Sequence, residues 1–207
     1  SYHLSGAQNV HRSIQIMLKF DDITYTYHTK EGETTAVKDL TFEVGNGQFV
    51  SVIGPSGCGK TTILSLAAGI LAPSSGQVIR ENGEFGYMLQ RDALFSWRTV
   101  EQNIYLPLEV KKRNTPEMRG KAVALAKKYG LKDFLKKTPD QLSGGMRQRV
   151  ALIRTLAAEP DILMLDEPFS ALDNYLKTQL EREVMNVMET FGNGGIFVSH
   201  DRNEVYR

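Results

Sequence analysis

A glycine-rich segment of eight residues constrains the fold of this chain more than any other feature. Residues 54–61 read Gly-Pro-Ser-Gly-Cys-Gly-Lys-Thr. They follow a short apolar segment, 48–53, and precede an apolar helical pattern over 63–70. A strand that runs through such a loop directly into a helix is the context that the motif G-x-x-x-x-G-K-[ST] requires. The sequence therefore predicts a phosphate-binding loop in an α/β sheet, with a nucleoside triphosphate as its ligand.

The residue types of this loop suit phosphate. Glycines let successive backbone N–H groups turn toward phosphate oxygens, and the helix that follows adds the positive end of its dipole. We expect Lys60 to bridge the β- and γ-phosphates and the Thr61 hydroxyl to bind Mg²⁺. A glycine turn before a core helix is the alternative, but it leaves the Lys and Thr at the required places unexplained. We assign ATP binding to Gly54, Pro55, Ser56, Gly57, Cys58, Gly59, Lys60, Thr61 and Thr62, with the Cys58 side chain directed away from phosphate.

A second pair of candidate residues follows an apolar strand, 162–165. Asp166 and Glu167 stand at its carboxyl end, where parallel α/β sheets bind ligands. Because successive strand side chains point in opposite directions, we assign Asp166 to the metal and Glu167 to the attacking water. Alone, such a pair is more often a solvated turn or a helix cap. With the phosphate loop present, it predicts a nucleoside triphosphatase.

The rest of the chain alternates between strand and helix signals. Alternating apolar residues over 18–44 predict antiparallel strands around a turn at 30–35, and a second strand pair is expected at 77–80 and 85–89. Helices are expected from Thr115-Pro116, from Leu142 to Ala158 and over 175–190, and a last strand over 195–198. We therefore predict an α/β fold, a P-loop NTPase with a RecA-like core, an antiparallel β lobe and an inserted α-helical subdomain.

The expected domain boundaries follow from this pattern. Residues 1–16 are interpreted as an N-terminal extension or added residues, with Met17 as a candidate natural start. Residues 17–207 form one domain, in which 17–90 and 159–207 make the β lobe and the core. The stretch 91–158 makes the helical subdomain.

Composition excludes several classes of partner and site. A net charge of +1 does not favour nucleic acid, and a single cysteine excludes an internal disulfide or a cysteine-rich metal site. No apolar run approaches the ~20 residues of a membrane-spanning helix, so we expect a soluble protein. One local exception is the stretch 111–137, with ten basic and two acidic residues. It is either a solvated helical face or a contact for anionic lipid headgroups.

The segment Leu142-Ser143-Gly144-Gly145-Met146-Arg147-Gln148 narrows the choice among triphosphatases. Ser143 and the N–H groups of Gly144 and Gly145 stand at a helix start, which makes a second anion site in a chain that already has one. With the phosphate loop, this segment closely resembles the ordered motif set of ATP-binding cassette (ABC) ATPases over nearly all of 18–207. The other motifs that carry the resemblance are Gln90, Asp166-Glu167, Ser170-Ala171-Leu172-Asp173 and His200.

The resemblance implies an ATP-hydrolysing subunit that works as a head-to-tail pair. Each ATP would lie between the phosphate loop of one copy and Ser143, Gly144 and Gly145 of the other, in a C₂ arrangement. Glu167, Gln90 and His200 would be catalytic, with Gln90 sensing Mg²⁺ or the water and His200 contacting the γ-phosphate. Asp173 would organise the dimer interface. Tyr27 is the candidate for stacking on adenine, although Tyr25 and His28 compete with it.

The segments 90–100 and 146–149 look like those of the importer subfamily that serves nitrate, sulfonate, taurine and thiamine precursors. That resemblance implies transmembrane permease subunits, a separate solute-binding protein and a peripheral location on the cytoplasmic face of the cell membrane. Trp97, with Leu94 and Phe95, would accept a short helix of the permease, unless Trp97 packs inside the helical subdomain. A non-transport ABC ATPase and a small-molecule P-loop kinase remain the alternatives. The connection between Gly76 and Gly86 is shorter than the subfamily pattern.

Overall fold

The structure is a computed structural model that describes residues 15–30, 32–81, 83–168 and 194–199. Its strands are β1 (Ile16–Thr29), β2 (Gly32–Gly45), β3 (Phe49–Ile53), β4 (Ser75–Arg80), β5 (Phe85–Met88), β6 (Ile162–Asp166) and β7 (Gly194–Ser199). Its helices are α1 (Lys60–Ala67), α2 (Val100–Val110), α3 (Pro116–Lys128) and α4 (Gly144–Ala157). The predicted helix over 175–190 and the site candidates Asp173 and His200 lie outside the described residues.

The described strands form two sheets, as the predicted fold requires. β1 pairs with β2 and with β4 in an antiparallel sheet of order β2-β1-β4. The other sheet is parallel, in the order β3-β7-β6-β5. The predicted α/β class with an antiparallel lobe is confirmed.

The predicted strand pair 77–80 and 85–89 is wrong as a pair. Both segments are strands, but β4 joins the antiparallel sheet and β5 joins the parallel one. Partners far away in the sequence decide this, since Val78 faces Phe20 and Tyr87 faces Met164. Alternation of apolar and polar residues along a short segment identifies a strand, but it does not identify the sheet that the strand joins.

Alternation along β6 divides the core between the two faces of the parallel sheet. Leu163 and Leu165 pack in a cluster with residues of α2, α3 and α4, while Ile162 and Met164 pack with residues of α1 and the antiparallel sheet. All five residues of β6 are buried, which suits a strand with helices on both faces. Asp166 is therefore a carboxylate at the end of the most buried strand.

The helix starts agree with the sequence signals. The Thr115 hydroxyl accepts a hydrogen bond from Met118 N and Pro116 is the first residue of α3. The Ser143 hydroxyl accepts one from Met146 N at the start of α4. Among the described residues, no helix combines the length and the apolar character needed to cross a membrane.

Candidate nucleotide site

A cleft of about 470 Å³ opens at the carboxyl ends of the parallel strands. β3 leads into the glycine-rich loop, β6 ends next to Glu167 and β5 ends just before Gln90, so the parallel register brings these three segments to one edge. The residues that line the cleft are Tyr27, Thr34, Thr35, Ala36, Ser56, Gly57, Cys58, Gly59, Lys60, Thr61, Thr62, Gln90 and Glu167. Sequence reasoning missed 34–36 on β2, for which the sequence carries no motif.

Two loop positions require glycine. Gly57 has φ +80° and Gly59 has φ +97°, both in the left-handed region that side chains rarely adopt. A Cβ on Gly59 would also lie 2.4 Å from the Ala36 carbonyl oxygen. The loop can therefore turn into α1 only with glycine at 59, which places the free N–H groups of the helix start at the floor of the cleft.

Lys60 directs its ammonium group into the mouth of the loop. Its side chain is only 5% exposed, and Nζ donates to the carbonyl oxygens of Gly54 at 2.8 Å and Pro55 at 2.9 Å. Nζ also lies 3.7 Å from Glu167 Oε1. The loop thus carries a fixed positive charge where a triphosphate would place its negative charge.

Glu167 is held from several sides. Gln90 Nε2 donates to its Oε2 at 3.2 Å, and Gln148 Nε2 donates to its backbone oxygen at 3.2 Å. Its φ is +47°, and its N–H donates to the Val198 oxygen of β7. A non-glycine residue in this region costs about 1 kcal/mol or more, and such strain is typical of functional positions. The carboxylate lies between a cation and an amide at the edge of the cleft.

Asp166 is 1% exposed, and neither of its carboxylate oxygens has a hydrogen-bond partner among the described residues. Burial raises its pKa above the ordinary value and the neighbouring Glu167 adds to the rise, while the Thr61 hydroxyl and Lys60 oppose it. A buried carboxylate without donors is costly unless a cation faces it. One carboxylate beside a hydroxyl and substrate phosphates is also a donor set that suits Mg²⁺. Thr61 and Asp166 therefore fit the predicted metal.

Among the three aromatic candidates for the base, Tyr27 alone lines the cleft. Its hydroxyl lies 3.1 Å from the Thr62 hydroxyl, and its ring meets Tyr25 edge to face at 4.9 Å. His28 instead pairs with Glu33 near the hairpin turn. Tyr27 is 40% exposed, and its stacking on adenine remains a prediction.

The turn of Ser143, Gly144 and Gly145 does not join this cleft. Ser143 and Gly144 are exposed, and none of the three residues belongs to the described lining. Within one copy, the structure brings the phosphate loop, Gln90 and Glu167 together and leaves the predicted second anion site outside this cleft.

The segment that follows Gln90 connects the cleft to the helices through contacts that the sequence did not predict. Residues 91–94 follow Gln90 and are held by two arginines of α4. Arg147 Nε donates to the Asp92 carboxylate at 2.9 Å, and Arg154 donates to the backbone oxygens of Asp92 and Ala93, both at 2.8 Å. No sequence pattern predicts these long-range contacts. The start of α2 could have been found, because Thr99 and Gln102 form a reciprocal capping box of the type T-x-x-Q.

Trp97 is 75% exposed, so the alternative that it packs inside the helical subdomain is wrong. Its ring stacks on Phe95 with centroids 4.8 Å apart, and Leu94 packs against the helical cluster. The pair of aromatic rings is an apolar feature on the surface.

The basic stretch 111–137 is less positive in the fold than in the sequence. Four of its ten basic residues form ion pairs with glutamates, namely Lys111 and Arg113 with Glu84, Lys121 with Glu117 and Glu159, and Lys136 with Glu101. Three of these four glutamates lie outside the stretch. This neutralisation favours a solvated helical face over a lipid contact.

Comparisons with known proteins agree on one family. A family model described as ABC transporter matches residues 37–170. The ABC transporter ATP-binding protein YtlC of Bacillus subtilis is 46% identical over 194 residues, which cover 90% of this chain and 75% of that protein. The nitrate import ATP-binding protein NrtD of Synechococcus elongatus is 38% identical, with coverages of 90% and 72%. The taurine import ATP-binding protein TauB of Jannaschia sp. is 37% identical, with coverages of 84% and 67%.

A solved structure that is similar to this chain is also an ATP-binding cassette. The ATP-binding cassette MJ0796, in a dimeric post-hydrolysis state bound to ADP and Pi, superposes with a TM-score of 0.83. It is 32% identical, and the match covers 91% of this chain and 90% of that one.

Proposed function

Because the chain belongs to the ABC transporter ATP-binding family and is an ABC ATPase, we propose that it is the motor subunit of a membrane importer. In this proposal two copies bind two ATP molecules head to tail, and closure and opening of the pair move a permease. The observation that supports ATP hydrolysis as its driving reaction is the position of Glu167 at the mouth of the phosphate loop, between Lys60 and Gln90.

Hydrolysis follows from the charges around the cleft. Transfer of a phosphoryl group to water needs positioned positive groups and little covalent chemistry. The loop N–H groups and Lys60 bind the phosphate oxygens and stabilise the negative charge that they carry in the transition state. Glu167 orients the water and accepts its proton, while the Gln90 amide holds the Glu167 carboxylate in place. We place His200 at the γ-phosphate by resemblance.

A magnesium ion would be held by Thr61 and Asp166, with Gln90 nearby. When bound, it would neutralise part of the negative charge of the triphosphate. Asp166 would hold the ion as a carboxylate, since a bound cation would offset the burial of its charge and no hydrogen bond from the described residues occupies its oxygens.

The second anion site supports a paired arrangement. Ser143 and Gly144 are exposed at the start of α4, Gly145 is half-buried, and all three lie outside the described lining of the cleft of their own copy. A C₂ pair brings this turn onto the nucleotide of the other copy and repeats the contact reciprocally. The dimeric cassette MJ0796 is consistent with such a pair. We assign Asp173 to the same interface.

Import is the transport direction we propose, since two of the relatives are named for nitrate and taurine import. The partners are then permease subunits and a separate solute-binding protein, and the chain sits on the cytoplasmic face of the membrane. The exposed Trp97 and the half-buried Phe95 on which it stacks, with Leu94 beside them, are our candidate surface for a short permease helix. The cargo would be a small solute such as nitrate, a sulfonate or a thiamine precursor, chosen by the partners.

Product analysis tests the reaction, and copurification tests the partner. We expect ATP to yield ADP and phosphate without any acceptor, whereas a P-loop kinase requires an acceptor substrate. Expression in membranes together with candidate permease subunits should recover a complex of both subunits. A chain that hydrolyses ATP but never copurifies with a permease would support the non-transport ABC ATPase instead.

A further inference from the structure

Asn103 is a fully buried polar residue, and the hydrogen bonds of its carboxamide among the described residues all go to nearby backbone. It lies in the first turns of α2 and is 0% exposed. Its Oδ1 accepts from Phe95 N at 2.8 Å. Its Nδ2 lies 3.1 Å from Phe95 O, 3.2 Å from Arg98 O and 3.0 Å from Thr99 O, within donating distance of all three. Every one of these partners belongs to the segment that precedes the helix.

These bonds hold one tight turn, which we call the display turn (residues 95–98). Arg98 N donates to Phe95 O at 3.1 Å and closes it, with Ser96 and Trp97 in the central positions. The Asn103 carboxamide bonds both backbone groups of Phe95 and the oxygen of Arg98. The turn is thus fixed from the inside by one side chain, while Trp97 on its outside is 75% exposed.

Contacts on the surface fix the same turn. The Arg98 guanidinium donates to Glu109 Oε2 at 2.7 Å and lies 6.0 Å from the Phe95 ring centroid. The capping box of Thr99 and Gln102 holds the backbone just after it. An exposed tryptophan on a turn with so many constraints contributes little to packing of its own chain. Its rigid presentation suits a partner that it contacts.

We propose that Asn103 is a positioning residue that preorganises the display turn for the membrane partner. This inference rests on the proposed function, in which Phe95 and Trp97 receive a permease helix. Ordering a loop and its side chains on binding weakens association, so a turn that is already fixed binds more tightly than the same residues on a loose loop. Asn103 acts through the turn and makes no contact with the partner itself.

The catalytic cleft is separate from Asn103 and the display turn. The hydrogen-bond partners of the Asn103 carboxamide lie within 95–99, and none of those residues lines the cleft. Loss of the carboxamide should therefore weaken coupling to the partner and leave hydrolysis by the isolated chain nearly unchanged. A residue that only stabilised the fold would affect both to the same extent.

Trp97 reports directly on the turn because it is the single tryptophan of the chain. N103L keeps a similar volume and removes all the carboxamide bonds. N103D keeps the acceptor for Phe95 N–H and places an oxygen against the three carbonyl groups. In both variants we expect lower fluorescence anisotropy of Trp97 and faster quenching by acrylamide. The matched control N114L removes a surface bond to Arg119 and should leave Trp97 unchanged.

The wild-type chain provides a measurement that does not depend on a variant folding. We expect the amide hydrogen of Phe95 to exchange as slowly as those in the middle of α2, because Asn103 Oδ1 binds it in a buried place. An unprotected Phe95 amide would overturn the proposal. So would an unchanged Trp97 signal in a folded N103L or N103D sample.

Binding to the membrane subunits that copurify with the chain completes the test. We expect N103L to associate about tenfold more weakly, with hydrolysis by the isolated chain within about twofold of the wild type. Association equal to wild type in a variant with a loosened turn would refute the role of preorganisation. The variant W97A tests the docking surface alone. If W97A associates normally, the proposed docking surface is wrong. The fluorescence of Trp97 and the hydrogen exchange of Phe95 still decide whether Asn103 fixes the turn.

Discussion

The ammonium group of Lys60 lies 3.7 Å from the Glu167 carboxylate, and the same carboxylate accepts a hydrogen bond from Gln90. A residue of the phosphate loop and a residue of the strand end thus meet across the cleft. Phosphate oxygens that enter the loop compete with Glu167 and the loop carbonyls for the Lys60 ammonium. We expect this competition to weaken the contact between Lys60 and Glu167, so that the carboxylate can act on water while Gln90 still binds it.

Replacing Lys60 with Ala should remove productive nucleotide binding. The change deletes the charge at the loop mouth, and we expect the Kd for ATP to rise by about a hundredfold. Equilibrium dialysis with labelled ATP measures it. K19A, which removes a lysine of the antiparallel sheet paired with Glu43, is the control and should bind normally. Equal affinity in K60A and wild type would remove Lys60 from the site.

Replacing Asp166 with Asn should raise the stability of the chain and lower its ATPase activity. Without nucleotide or metal, we expect the free energy of unfolding to increase by about 1 kcal/mol, because a buried charge without hydrogen bonds disappears. Hydrolysis dependent on Mg²⁺ should fall by at least about a hundredfold, because the metal loses its carboxylate.

The stability that D166N gains over the wild type should depend on pH. Burial raises the pKa of Asp166 in the folded chain above its ordinary value of 3.8. Wild type therefore loses stability as the pH rises through the raised pKa, and D166N does not. Urea unfolding should give similar stabilities below pH 3.8 and a more stable variant at neutral pH. A variant less stable than wild type at neutral pH would contradict this account of the buried carboxylate.

Ser143 can be changed without loss of the helix cap. Asp and Asn both cap helices well, so S143D and S143N should keep α4 intact. S143D sets a negative charge against the phosphate of the opposite copy, while S143N is neutral and of the same shape. We expect both to bind ATP like wild type, and S143D to lose most of its hydrolysis. Equal turnover in S143D and S143N would show that this turn does not meet phosphate.

Local patterns predict much of this fold because their causes are local. The glycine loop and the caps at Thr115 and Ser143 depend on backbone conformation within a few residues. The parallel register then brings Glu167 to the loop, as expected for carboxyl ends of adjacent strands.

Long-range contacts account for what the sequence does not reveal. The separation of β4 and β5 into two sheets depends on partners such as Phe20 and Met164. The neutralisation of Lys111 depends on Glu84, which lies outside the basic stretch. A buried asparagine such as Asn103 has no sequence signature, because its value lies in the backbone groups that the fold places around it.

Glu167→Gln with Mg²⁺ and ATP tests the central claim most directly. The substitution keeps the shape and removes the charge that activates water, so hydrolysis should fall by about 10²- to 10⁴-fold while ATP remains bound. Sedimentation should show a stable dimer that holds ATP, and E159Q, a surface glutamate paired with Lys121, should behave like wild type. A Glu167→Gln sample that stays monomeric with its membrane partner supplied, or that turns over ATP at the wild-type rate, would contradict the account.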